Sequence, residues 1–245
     1  MSVPENENEA CPAPDTLINR DDAIKYWEGC EADENSMLGG LPTAGGFSYI
    51  SRVDLQGSRN FLAKLGIGAR PGQRRVASAL EGGAGVGRVT EGLLLPVSEH
   101  VDVVEPVAKF TAALRERKGV REVYNVGLED WRPAPGVWYD LIWTQWCVGH
   151  LTDEQLVGFL ERCKDVLRPD GGVIVIKENM STAGQDLFDD QDSSVTREHT
   201  KFLDLFRRAG LRVVRTEIQK GVHKSETGSL YPIRMYALKP QSQDG

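Results

Sequence analysis

The chain has 245 residues, 40% of them apolar, which suits one well-buried domain and is short for two. Its formal net charge of −7 argues against a nucleic-acid clamp, which needs a basic footprint, and is compatible with a basic peptide as partner. Four cysteines (Cys11, Cys30, Cys147 and Cys163) lack CxxC spacing and a histidine cluster, so neither a disulfide framework nor a metal site is expected.

Residues 1 to about 15, with Pro4, Pro12, Pro14 and four acidic residues, read as a mobile tail, and no signal peptide or membrane-length apolar run is seen. Residues 16–66 read as a helical extension with a lid loop. In it Asn19 caps a short helix, with Asp21 and Asp22 in the first turn and Ile24, Tyr26 and Trp27 following. Two glycine pairs, Gly39-Gly40 and Gly45-Gly46, mark the loop, and Asp54 starts a second helix that Gly66 stops. The remaining domain, residues 67–245, alternates strands and helices. Strands are expected at 76–80, 100–105, 122–126, 140–143 and 173–176, with a final antiparallel pair at 212–219 and 231–238. A helix at 89–95 should end at Pro96, another is capped by Asp153, and a third spans 195–209. That alternation calls for a parallel sheet wrapped by helices on both faces.

The chain is organised around Glu81-Gly82-Gly83-Ala84-Gly85-Val86-Gly87-Arg88, a glycine turn between strand and helix. Glycine lets the backbone approach a ligand without Cβ hindrance. The spacing misses the dinucleotide fingerprint, because Arg88 stands where its last glycine belongs, and no Gly-Lys-Ser/Thr follows for a phosphate loop. Glu105 closes the next strand, where a carboxylate can accept hydrogen bonds from two ribose hydroxyls. The turn with this carboxylate is similar to the cofactor site of Rossmann-type S-adenosylmethionine methyltransferases. Ligands of such sheets bind at the strand tips, which supply Glu81 and Gly83, Glu105, residues 127–130, residues 144–150 and residues 177–180. Beyond the last tip, Asp189, Asp190 and Asp192 can receive a cation beside Trp146 and Asn179.

Six blocks occur in order: Tyr26-Trp27, Met37-Leu38-Gly39-Gly40, residues 83–88, Gln145-Trp146 through Asp153, Lys177-Glu178-Asn179-Met180, and Asp189-Asp190-Gln191-Asp192-Ser193-Ser194. Together, over residues 20–238, they resemble the eukaryotic alpha-N-terminal protein methyltransferases, which modify exposed X-Pro-Lys N-termini. The resemblance implies an α/β, Rossmann-like class I fold with a mostly parallel seven-stranded sheet. It implies S-adenosylmethionine as cofactor, without metal, held by Gly83, Gly85, Arg88, Glu105, Leu128, Glu129 and Gln145. Trp27, Leu38, Trp146 and Tyr231 would shape the peptide channel, and Asn179 would hold the first substrate residue. Asp189, Asp192 and Ser194 would engage the lysine, and Asp192 with His150 would assist deprotonation. Ribosomal proteins are implied among the partners, with no nucleic acid or membrane, in the cytoplasm and also the nucleus. Glu105 and Glu178 depart from the aspartates expected in animal members, and residues 41–45 look inserted. A small-molecule methyltransferase or a non-catalytic cofactor-binding scaffold stand as alternatives, and Arg88 disfavours a nicotinamide dehydrogenase.

Overall fold

A computed structural model of the chain describes residues 12–44, 49–221 and 230–241. Seven strands form one sheet in the order β3-β2-β1-β4-β5-β9-β8. They are β1 (Val76–Gly82), β2 (Ser98–Val104), β3 (Val120–Tyr124), β4 (Leu141–Gln145), β5 (Val173–Asn179), β8 (Leu211–Ile218) and β9 (Ile233–Pro240). All neighbours run parallel except β9, which is antiparallel to both β5 and β8, as the expected final pair requires. β4 is buried along its whole length and β5 on all but its last residue, because helices cover both faces. One core packs Leu80, Trp131, Phe159, Phe202 and Tyr236, and the other packs Phe61, Leu93, Val103 and Trp143. The order reverses at β1 and β4, so their C-terminal ends open the crevice where ligands of such sheets lie.

Helices α1 (Arg20–Gly29), α2 (Glu34–Met37), α3 (Leu41–Ala44) and α4 (Ile50–Lys64) precede the sheet. Asn19 Oδ1 accepts from the Asp21 and Asp22 amides and starts α1 as expected. α4 begins at Ile50, a turn before the expected Asp54, which places Asp54 inside the helix. Leu41–Ala44 of the apparent insertion is one helical turn, with Thr43 Oγ1 donating to Asn35 Oδ1 at 2.9 Å, while Gly45 and Gly46 lie outside the described residues. Most of the expected tail and Cys11 also lie outside them, but Pro14–Leu17 forms a 3-10 turn whose Asp15 carboxylate accepts from the Asp153 amide.

Three later segments differ from expectation for local reasons. The helix after the glycine turn does not stop at Pro96, because Thr90–Leu94 widens into a π turn and α5 (Leu95–Val97) continues through the proline. In an α-helix Pro96 would orphan the Gly92 carbonyl, and that carbonyl accepts instead from Arg59 Nη2 at 2.8 Å. α6 (Asp153–Asp165) is capped by Thr152 rather than Asp153, in a capping box with Gln155. Residues 195–198 are not helical, since β6 (Leu187–Asp189) and β7 (Ser194–Thr196) pair as a small hairpin and α7 (His199–Arg208) starts after it.

Candidate active site

Between β1 and the π turn the chain bends through Gly83 at φ +69 and Gly85 at φ +52, left-handed conformations that favour glycine. A Cβ at Gly85 would lie 2.6 Å from Met37 Sδ, so a side chain there would also have to displace the Met37 thioether. The bend borders a cavity of about 150 Å³. Glu105 is fixed on its wall: Oε2 accepts from the Gly85 amide at 2.9 Å and Oε1 from the Val107 amide at 3.0 Å. Burial pushes its pKa up, against those two amides. Glu81 is buried in the same wall, where Thr90 Oγ1 donates to it, and burial pushes its pKa up to about 8. It is therefore mostly neutral at pH 7, and the cavity is less acidic than the residue list suggests. Leu128, Glu129, Gln145 and Arg88 complete the expected set around the cavity, with Val107 and Phe110 as apolar wall. A carboxylate for a ribose diol, a guanidinium for an amino-acid carboxylate and apolar faces for a flat base fit S-adenosylmethionine. Among the described residues no group of His, Cys, Asp and Glu could hold a metal ion.

Behind Arg88 stands a residue that the motif reading passed over. Asp54 is fully buried; its Oδ2 accepts from Arg88 Nη1 at 2.8 Å and Gln145 Nε2 at 2.9 Å, and its Oδ1 accepts from Lys177 Nζ. Lys177, also fully buried, donates further to Ser58 Oγ at 2.9 Å and Gln219 Oε1 at 3.0 Å. Burial lowers the Lys177 ammonium to about 8, against the pull of Asp54. Burial also pushes the Asp54 carboxyl up, but Lys177 and Arg88 more than offset it and hold it below its ordinary value. Two cations against one anion leave a single positive charge, which the carboxylate of an amino acid would balance. The Arg88 guanidinium also lies 5.4 Å from the Trp146 ring centroid.

A second cavity, of about 410 Å³, adjoins the first. The two share Trp27, Met37, Trp146 and His150 as lining. Leu38, Asn179, Asp192, Ser194 and Tyr231 line the second, which brings together nearly all the residues expected to meet a substrate. Asp189 is the exception: it is exposed, lines neither cavity, and its Oδ1 accepts from the Gln191 amide. Asp192 Oδ1 is buried and has no hydrogen-bond partner among the described residues.

His150 is fixed from several sides. Trp27 Nε1 donates to its Nε2 at 3.2 Å, so the neutral ring carries its proton on Nδ1. Burial lowers its pKa, while Asp192, the Ser193 backbone and Glu129 pull it back. The turn that carries it, Val148–His150, is held by two groups that sequence reasoning did not assign. Glu178 Oε1 accepts from the Cys147 and Val148 amides at 2.9 and 3.0 Å, and burial raises this carboxyl to about 7. Arg197 is fully buried, donating to Asp153 Oδ1 at 2.9 Å and to the Val148 and Leu151 carbonyls at 3.1 and 2.5 Å. Nothing in its local sequence marks Arg197. Asp54 did carry a signal: it falls on the stripe Ile50, Asp54, Ser58, Phe61 that faces the core of α4.

A family profile described as AdoMet dependent proline di-methyltransferase matches residues 15–239. Alpha N-terminal protein methyltransferase 1 of Schizosaccharomyces pombe is 43% identical over 223 residues, 90% of this chain and 96% of that one. N-terminal Xaa-Pro-Lys N-methyltransferase 1 of Homo sapiens is 39% identical over 226 residues, 89% of this chain and 93% of that one. A solved SAM-dependent methyltransferase of Leishmania major superposes with a TM-score of 0.76 at 34% identity, covering 89% of this chain and 82% of that one. The chain therefore belongs to the AdoMet-dependent proline di-methyltransferase family.

Proposed function

We propose that this protein moves methyl groups from S-adenosylmethionine to the α-amino group of proteins that begin Xaa-Pro-Lys. The observation that carries this reading is the pair of adjoining cavities, one lined by groups suited to the cofactor and the other by aromatics and carboxylates. Their common lining of Trp27, Met37, Trp146 and His150 marks where a nitrogen on one side would meet a methyl carbon on the other. The names of the Schizosaccharomyces pombe and human relatives point the same way. The acid at Asp192 and the breadth of the second cavity speak against a small apolar acceptor, and the intact proton-handling pair speaks against a non-catalytic scaffold. Ribosomal proteins with such N-termini, met in the cytoplasm and the nucleus, are the proposed substrates.

The cofactor, when bound, supplies a methyl carbon activated by a sulfonium. Arg88 and Glu105 would hold its two ends, and Gln145 braces Asp54 behind Arg88. An α-amino group, with an ordinary pKa of about 7.7–8.0, is mostly protonated near neutral pH and must lose that proton to become a nucleophile. Two observations favour Asp192 as the first proton holder: its Oδ1 is buried without a partner, and His150 Nε2 is taken by Trp27. His150 then orients and polarises rather than abstracts. Trp27, Trp146 and Tyr231 would face the proline ring, which has little freedom to lose, and Asp192 with Ser194 would meet the lysine. Asp189, outside the cavity, would reach the lysine only at its mouth.

Mass spectrometry of Xaa-Pro-Lys peptides incubated with the protein and S-adenosylmethionine tests the proposal. Methylation of the free peptide and none of its N-acetylated twin is expected. Equal labelling of both, or of neither, would overturn it.

A further inference from the structure

At the other end of the sheet, where β5 starts at Val173, a third cavity of about 310 Å³ is lined by Lys64, Arg74, Arg212, Arg215 and Lys239, and by no carboxylate. This is a concentration of cations in a chain whose 36 acidic residues outnumber its 29 basic ones. Neighbouring acids do not neutralise it. Lys64 and Arg215 share one carboxylate, Glu217, at 2.6 and 2.7 Å. Arg74 Nη1 lies 4.0 Å from Asp140, which Arg168 already engages at 3.1 Å. Arg212 and Lys239 have no carboxylate partner among the described residues. The strand register sets these last two directly opposite each other across the antiparallel β8–β9 pair. Like charges in that position destabilise a sheet. The repulsion becomes useful if an anion sits between them.

We infer that this cavity binds a phosphate-type dianion, whether free or carried on a phosphorylated side chain. Glu217 and Asp140 leave three of the five lining charges uncompensated, more than a single carboxylate ligand would use. Three of the five are arginines, whose planar forks match the oxygen edges of a phosphate. The cavity shares no lining residue with the two described above, so occupancy need not alter the chemistry there.

The test is thermal unfolding of the full chain at about pH 7.5 with sodium phosphate, with a phosphoserine peptide, and with sodium chloride at matched ionic strength. At a hundredfold excess over Kd the midpoint should rise by about 5–10 °C for a protein of this size. The double variant Arg212→Ser, Lys239→Ser should show no such rise. Without anion it should melt at or above the wild-type midpoint, because the repulsion is gone, and its kcat on peptide should equal that of the wild type. A response to inorganic phosphate identifies a free anion as ligand, and a response to the peptide alone identifies a modified protein. An equal rise with sodium chloride, a rise retained by the double variant, or no rise with either phosphate would overturn the inference.

Discussion

Replacing Asp54 by asparagine keeps the volume of the side chain and removes the only negative charge, among the described residues, in contact with both Arg88 and Lys177. Lys177 is wholly buried and the Arg88 side chain is 7% exposed, so neither cation can recover its hydration without local unfolding. Breaking a buried ion pair by removing one partner costs about 3–5 kcal/mol. For a chain of this size each kcal/mol lowers the melting midpoint by about 2–4 °C, so a drop of roughly 6–20 °C is expected. The companion variant Asp54→Asn, Lys177→Met removes one of the two stranded cations at similar volume and should regain part of that loss. It should not regain cofactor affinity, because Arg88 has lost the partner that aims it. The missing charge-assisted hydrogen bond, worth at least about 1.5 kcal/mol, corresponds to roughly tenfold in Kd. Calorimetric melting gives the first quantity and titration with S-adenosylhomocysteine the second. A single variant that melts within about 2 °C of wild type would refute the shared-charge argument, since that shift answers to less than about 1 kcal/mol. Wild-type cofactor affinity in the double variant would refute the positioning of Arg88.

Four further outcomes follow from the same geometry. Glu105→Ala should weaken cofactor binding by at least about tenfold, the value of one charged hydrogen bond, and titration that finds unchanged affinity would remove Glu105 from the site. Asp192→Asn should lower kcat by about 10²–10⁴ with cofactor Kd nearly intact, and His150→Ala should act in the same direction; a parallel loss of cofactor affinity would show damage to the fold instead. Trp27→Phe keeps the ring but deletes the donor to His150 Nε2, so nitrogen NMR should show the imidazole losing its preference for the Nδ1–H tautomer, while an unchanged spectrum would contradict the contact. Glu81 keeps its proton up to about pH 8 in the native state, whereas the unfolded chain releases it near 4.5. Its contribution to stability is thus fullest below pH 4.5 and lost as pH rises toward 8, and Glu81→Gln should flatten that slope in urea melts taken across the range.

Periodicity exposed the sheet because its strands are short apolar runs separated by glycine and proline turns, and the strand tips then located the cofactor cavity. The antiparallel β8–β9 pair was readable for the same reason. Harder to see were features whose cause lies elsewhere in the chain. Pro96 continues a helix where Arg59, from another helix, satisfies the Gly92 carbonyl. Ser194–Thr196 leaves the expected helix to pair with Leu187–Asp189, a contact that no local propensity announces. Asp54 was visible as a charge on an apolar stripe, yet its partners Arg88, Gln145 and Lys177 are 34, 91 and 123 residues away. The resemblance to a family named most of the residues that line the second cavity, while Asp189 lies outside that lining, exposed on the β6–β7 hairpin.

Two non-glycine residues adopt left-handed backbone, Trp146 at φ 54 and Ser193 at φ 55, and both stand at the second cavity or beside it. Such conformations cost about 1–3 kcal/mol each and persist only where surrounding contacts over-determine them. For Trp146 those contacts come from β5: its amide donates to the Lys177 carbonyl at 3.1 Å, and Glu178 takes the next two amides. For Ser193 they come from the N-terminal extension, whose Asn19 amide donates to Ser193 Oγ at 2.8 Å. The same extension supplies Trp27 to His150, while Arg20 clasps Glu129 at 2.9 Å and Lys109 holds the Glu28 carbonyl at 2.6 Å. α1 is therefore fastened at its start, middle and end to loops at or near the two cavities. Truncation through Leu17 should cost the Asp15 carboxylate that receives the Asp153 amide, and losing Asn19 as well should release Ser193, relax the backbone beside Asp192 and reduce turnover more than stability.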